Sequence, residues 1–169
     1  MELTDLMDKE DWMAFEKELN ERFNLNCAVF NSSGVGLTGK PNWCNALCPK
    51  IKGNKESLAV ICAAGNQNFM AQAEKTKKPV IGECDAGLVK IAVPIEVDGK
   101  FMGTAGGCGR LPKDGDPETF MIQKTTGMNE DEVSDLCQSL EPMTEDQVKD
   151  VTEFIEQRIE KVIDDYKKR

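Results

Sequence analysis

The chain contains no histidine. That absence excludes Ser-His-Asp and Cys-His catalysis, His-ligated haem and His-containing zinc sites, so any general base is a carboxylate, a lysine or a thiolate. Long apolar runs are missing too. The longest is Leu58–Ala64, well short of the roughly 20 residues that span a bilayer. No Lys/Arg cluster outweighs the acids, and the formal net charge is −9, which argues against a nucleic-acid backbone or an anionic membrane surface as partner. The opening Met1-Glu2-Leu3-Thr4-Asp5 has no basic segment followed by an apolar one, so a cytoplasmic location is expected. Neither a G-x-G-x-x-G nor a Walker loop occurs, and no helix-turn-helix-like basic segment or kinase motif is present. An output regulator or kinase would therefore be a separate protein, or this chain a piece of a longer one.

What is present is an ordinary globular composition, with 40% apolar and 30% charged residues over 169 positions. That is a single domain's worth of chain with enough apolar mass for a core. Three zones follow one another. In residues 1–24, Trp12, Phe15, Leu19 and Phe23 recur at helical spacing within Asp8–Phe23, an amphipathic helix. Residues 25–111 mix strands and helices. Cys27–Phe30 and Val35–Thr38 flank a turn cluster as a hairpin, Lys55–Lys75 reads as a helix, and Val80–Glu83, Leu88–Val97 and Phe101–Cys108 read as strands. Asp98-Gly99 joins the last two, and that pair tolerates the positive φ a type I′ turn demands at both positions. Residues 112–169 are helical, with short helices over Pro117–Lys124 and Glu130–Leu140. Thr144 and Gln147 then form a capping box ahead of a long helix to about Tyr166. Its seam of Val148, Val151, Ile155, Ile159, Val162 and Tyr166 fits either a partner helix, as in a homodimer, or the chain's own domain. Strands that do not alternate regularly with helices indicate an antiparallel α+β fold.

Seven cysteines without a secretory leader point to metal or redox chemistry rather than a disulfide scaffold. Cys44 and Cys48 are four apart and would share a helical face. Cys62 falls in the next helix and Cys84 ends a strand. Four thiolates from these elements can close around zinc or hold a [4Fe–4S] cluster, and scattered ligands favour the cluster. Cys108 can replace any of the four. Two other readings stand beside this one: buried thiols acting as small hydrophobes, and a disulfide switch at Cys44–Cys48 or Cys62–Cys84. A catalytic or redox Cys84 is disfavoured because its neighbours are carboxylates, whereas an electron-carrying protein with a Cys-ligated cluster escapes that objection and stands as the alternative function. Cys27 and Cys137 read as core. Trp43, Phe69 and Met102 line either a pocket or the core. Glu83 and Asp85 fall on the opposite strand face from Cys84 and would hold a polar ligand or simply meet solvent. Gly106 and Gly107 admit a ligand close to the backbone or mark a bulge. Lys52, Lys55, Lys75, Lys77 and Lys78 read as solvated surface.

An ordered set of landmarks runs through the middle zone: Cys48-Pro49-Lys50-Ile51, then Cys62, then Lys78-Pro79-Val80-Ile81-Gly82-Glu83-Cys84-Asp85-Ala86-Gly87-Leu88, then Ala92-Val93-Pro94-Ile95, Asp98-Gly99 and Met102-Gly103-Thr104-Ala105-Gly106-Gly107. In these residues the chain resembles the PocR sensory domain. The resemblance implies a PAS-like antiparallel sheet flanked by helices, binding a small molecule or cofactor between sheet and helices and signalling to an output partner without catalysis. It departs from the family pattern at Asp85, where histidine is usual, and at Cys108, where glutamine is usual. The expected pocket thereby loses an imidazole and gains sulfur.

Overall fold

A computed structural model of the chain describes residues 1–169. A short helix α1 (Leu3–Leu6) leads into α2 (Lys9–Phe23), which starts where the Asp8 carboxylate accepts the Asp11 N–H and stops at Asn24 in the left-handed region. Trp12 is fully buried and its indole N–H donates to the Leu3 carbonyl, so α1 is fastened onto α2.

Four strands form one antiparallel sheet: β1 (Asn26–Asn31), β2 (Val80–Glu83), β3 (Val89–Val97) and β4 (Lys100–Cys108), in the order β1-β4-β3-β2. The β3–β4 turn has Asp98 at φ 49° and Gly99 at φ 80°, as the type I′ reading requires. The expected hairpin after β1 shrinks to a single bridge between Phe30 and Gly36. Between β1 and β2 lie α3 (Leu47–Lys52), α4 (Lys55–Ser57), a π-helical stretch Leu58–Ala63 and α5 (Ala64–Thr76). The single helix expected over Lys55–Lys75 is therefore interrupted by a wider turn. A two-residue parallel pair, β5 (Leu111–Pro112) with β6 (Pro142–Met143), brackets α6 (Thr119–Thr126) and α7 (Glu130–Cys137). The chain ends in α8 (Glu145–Lys167), opened by the Thr144/Gln147 capping box.

Alternation along the strands separates two faces. Cys27, Val29, Ile91, Val93 and Ala105 turn to one side, where α1, α2 and α8 cover them in a 20-residue core. The α8 seam lies inside that core: Val151, Ile155, Ile159 and Val162 are buried against the chain's own sheet. Of the two readings of the seam, packing on its own domain is the one observed. The opposite sheet face meets α3, the π-helical stretch and α5.

Glu16 is buried on α2, 2% exposed. Its carboxylate accepts the Val29 N–H and the Thr38 hydroxyl, tying α2 both to β1 and to the segment beyond it. Burial pushes its pKa up, against the lowering effect of these two hydrogen bonds.

Two outcomes follow. Truncating Ile155→Ala removes buried methylenes and should cost about 2–5 kcal/mol in urea unfolding, with a midpoint independent of protein concentration; a concentration-dependent midpoint would place the seam between chains. A raised folded pKa at Glu16 means that the wild-type chain loses stability as pH climbs through and above the ordinary glutamate range. Glu16→Gln removes that loss, so the stability difference between variant and wild type should move in the variant's favour as pH rises across that window, and a pH-independent difference would contradict it.

Candidate functional site

The second sheet face borders a cavity of about 310 Å³. Its floor is built from small residues in register. Ala28 on β1, Gly106 on β4 and Ala92 on β3 pair directly across three strands. The next row is chemically richer: Asn26, Cys108, Lys90 and Gly82 stand side by side on β1, β4, β3 and β2. Phe69 from α5 and Trp43 from the loop before α3 supply aromatic walls, and the loop carrying Gly36, Thr38 and Lys40 closes the side nearest β1. Sequence spacing alone places only part of this together, because the rows exist only once β1 and β3 both pair with β4.

Five cysteines border the cavity: Cys27 on β1, which also belongs to the opposite core, and Cys48 on α3, Cys62 in the π-helical stretch, Cys84 just after β2 and Cys108 at the end of β4. Extra-wide helical turns of this kind recur at functional sites. Cys108 is the shared electrostatic neighbour that opposes ionisation of Cys44, Cys48, Cys62 and Cys84 alike. Burial is the larger cause in each. The Cys62 thiol is pushed up to about 11, with Lys52 and Lys90 pulling the other way. Cys84 is raised as well, by burial first and Cys108 second; its sequence neighbours Glu83 and Asp85 do not contribute. Protonated thiols of this kind are poor nucleophiles.

Cys44 stands just outside the lining. It precedes α3 rather than belonging to it, so the shared helical face expected for Cys44 and Cys48 does not form. The two sulfurs are linked instead through Asn45, whose Nδ2 lies 3.6 Å from Cys44 Sγ and 3.3 Å from Cys48 Sγ. The Asn45 Oδ1 caps α3 by accepting the Cys48 N–H at 2.7 Å. The Cys44 N–H donates to Asn26 Oδ1, and its thiol approaches the Cys108 carbonyl at 3.8 Å. Cys44 thus braces Cys108 from behind, and its own thiol is pushed up to about 11 by burial and by Cys108.

The other expected residues divide. Trp43, Phe69, Gly106, Gly107 and Cys108 border the cavity. Asp85 is exposed and outside it. Met102 is buried in the opposite core. Its strand parity matches Thr104 and Gly106, but β4 bulges there: Ile95 pairs with Gly103 and Glu96 with Phe101, leaving Met102 unpaired beside Gly103 at φ 147°. The extra residue turns Met102 to the other face. Gly106 and Gly107 themselves sit in regular register. A Cβ at Gly106 would stand 1.9 Å from the Ile91 carbonyl oxygen, so that glycine permits close strand packing. Cys27 is core, as read; Cys137 is half-buried against the smaller core on the helical side.

Sequence reasoning missed two cations. Lys90 donates to Asn66 Oδ1 at 2.5 Å and lies 5.7 Å from the Phe69 ring centroid. Lys52, read as plain surface, sits 5.4 Å from the Trp43 ring centroid at the cavity edge. Neither has a carboxylate partner within ion-pair distance. The strand alternation that marks Ala92 as inward-facing marks Lys90 as well, and was the available signal. The only carboxylate bordering the cavity is Glu16, already engaged by Val29 and Thr38. In a chain of net charge −9, the cavity walls are locally cationic. No three thiol or carboxylate groups stand close enough together to enclose a single metal ion.

No helix is long and apolar enough to cross a membrane. No curated protein and no solved structure matches the chain. A family model described as the sensory domain found in PocR matches residues 5–165. That span takes in the sheet, both helical layers, all the cysteines that border the cavity and most of α8, and the chain therefore belongs to the PocR sensory-domain family.

Proposed function

We propose that this sensory domain holds a thiolate-ligated iron–sulfur cluster, of the [4Fe–4S] type, in the cavity, with Cys48, Cys62, Cys84 and Cys108 as its ligands and Cys44 as a brace. The observation that carries the proposal is that Cys48, Cys62, Cys84 and Cys108, from four separate places in the fold, border one cavity. Two further features support it. No three thiol or carboxylate groups form a site for a single metal ion, which disfavours a mononuclear zinc held by these residues. Cys48, Cys62, Cys84 and Cys108 would each supply one thiolate to a cluster, the soft ligand such centres take. Lys52 and Lys90 supply positive charge beside a centre whose four thiolates make it anionic. Those thiols must lose their protons on ligation, which accounts for the need for nearby cations.

In this reading the cluster is the sensing element and no reaction is catalysed. When bound it supplies redox or oxygen sensitivity. The residues of the chain shape the cavity, orient the thiols through Asn45 and Asn26, and pass a change in cavity occupancy to an output regulator or kinase by way of the sheet and the C-terminal helix.

A second reading, a small organic ligand in place of a cluster, is favoured by the apolar floor of Ala28, Ala92 and Gly106 and the aromatic walls, in a volume at the lower end of the small-molecule range.

Anaerobically purified protein should be brown, absorb broadly near roughly 400 nm and carry about four irons and four sulfides per chain. Single Cys→Ala changes at 48, 62, 84 and 108 should each strip most of the iron, whereas Cys137→Ala should leave it in place. Colourless protein that cannot be reconstituted yet unfolds cooperatively would refute the cluster and leave the small-molecule reading. Cys44→Ala separates brace from ligand. Retained iron with faster loss in air fits the brace; complete loss, matched by retention in Cys108→Ala, restores Cys44 to the ligand set.

A further inference from the structure

On the far side of the sheet from the cavity, α8 covers β3 and β4 but leaves β2 bare. Ile81 on β2 pairs directly with Ile91 on β3, so both side chains turn to the same face. Ile91 is 2% exposed; Ile81 is 52% exposed. The residue has a core residue's position with nothing lying over it. β2 is also the end strand of the sheet, so one row of its backbone N–H and C=O groups is unpaired and available to another strand.

This edge opens on a groove of about 1100 Å³ between β2 and the first half of α8. Six carboxylates border the groove against two lysines, Lys113 and Lys149. Lys149 already leans on Glu153 at 3.8 Å. Glu156 has its pKa raised by burial first and then by Glu160 and Glu153, a sign of crowded negative charge that lacks a cation.

We infer that this groove is a docking site for an extended, basic segment of a protein partner, which adds as a strand to the free edge of β2, buries an apolar side chain on Ile81 and places lysines or arginines against Glu153 and Glu156. Strand addition takes its affinity from main-chain hydrogen bonds and its specificity from alternate side chains, and here those alternate side chains meet an apolar spot and an acidic wall. A second copy of this chain fits poorly. A two-fold pairing through β2 would set each acidic wall against its own mirror, and like charges across an interface are repulsive. The inference does not depend on what fills the cavity.

The position also links docking to sensing. Gly82, next to Ile81, faces the cavity side, and a Cβ there would stand 3.1 Å from the Phe69 ring. A ligand that moves Phe69 pushes on the strand whose outer edge the partner would use.

The test uses the full chain, labelled with ¹⁵N, and an acetylated peptide alternating lysine and valine over about eight residues, a strand's length. A peptide with glutamate in place of lysine is the control. The lysine peptide should shift amide signals of Val80–Glu83 and Glu145–Glu156, and raised salt should weaken it. Glu153→Lys combined with Glu156→Lys should weaken binding at least about tenfold and Ile81→Ser about threefold, both with cooperative thermal unfolding retained, since Ile81 and Glu153 are exposed and Glu156 is half-buried. Equal binding of both peptides, shifts confined to other elements, no shifts at all, or self-association of the free chain through the same amides would each overturn the inference.

Discussion

Everything in this domain depends on the two-residue alternation of a four-stranded sheet whose faces have been given opposite jobs. One face carries Val29, Ile91, Val93 and Ala105 and is sealed by α2 and α8. The other carries Ala28, Ala92 and Gly106 in a single row across three strands. Small side chains there leave volume unfilled beneath the overlying helices, and that space is the cavity. Burying one face stabilises the fold, so the other is free to be under-packed. A one-residue slip of β4 would exchange the two sets; the close approach of Gly106 to the Ile91 carbonyl and the positive φ of Gly103 hold the register.

Set on that frame, the thiols have a physical logic that a list of cysteine positions does not convey. Cys108 ends β4 beside Lys90 and Asn26, and the helices bring Cys48 and Cys62 over it while the chain leaving β2 brings Cys84. Cys48, Cys62 and Cys84 are pushed towards the neutral thiol by burial and, to a smaller extent, by Cys108. A shell of largely buried thiols that resist ionisation, with lysines lacking ion-pair partners at its edge, is poorly suited to nucleophilic chemistry. It is well suited to an occupant that takes up thiolates and brings cationic metal.

Much of the fold was legible in the sequence, because its signals are local. The Asp98-Gly99 turn, the Thr144/Gln147 box and the spacing of Trp12, Phe15 and Leu19 each act within a few residues, and each is found in the structure. The α8 seam was read correctly as apolar, yet its partner was open, because periodicity shows that a face is buried and not what buries it. The site was less legible for the same reason. Met102 left the cavity through a bulge that only the β3–β4 pairing reveals. Cys44 fell outside α3 because the Asn45 side chain starts that helix. Lys52 reads as a surface charge in the sequence, and Lys90 is not singled out there at all; the structure packs them beside Trp43 and Phe69. The family resemblance, carried by the Lys78–Leu88 block, reached further than any of these local signals.

The most direct test of the account fills the cavity from below. Ala92 is 6% exposed and forms the middle of the floor. In Ala92→Phe, a ring would occupy the space assigned to the cluster without touching any of the four thiols' own positions in the sequence. The account predicts an intact far-UV spectrum and cooperative unfolding, with iron and sulfide after anaerobic reconstitution falling to background. Iron and sulfide equal to wild type in a folded Ala92→Phe chain would contradict it, since the centre would then lie outside this cavity.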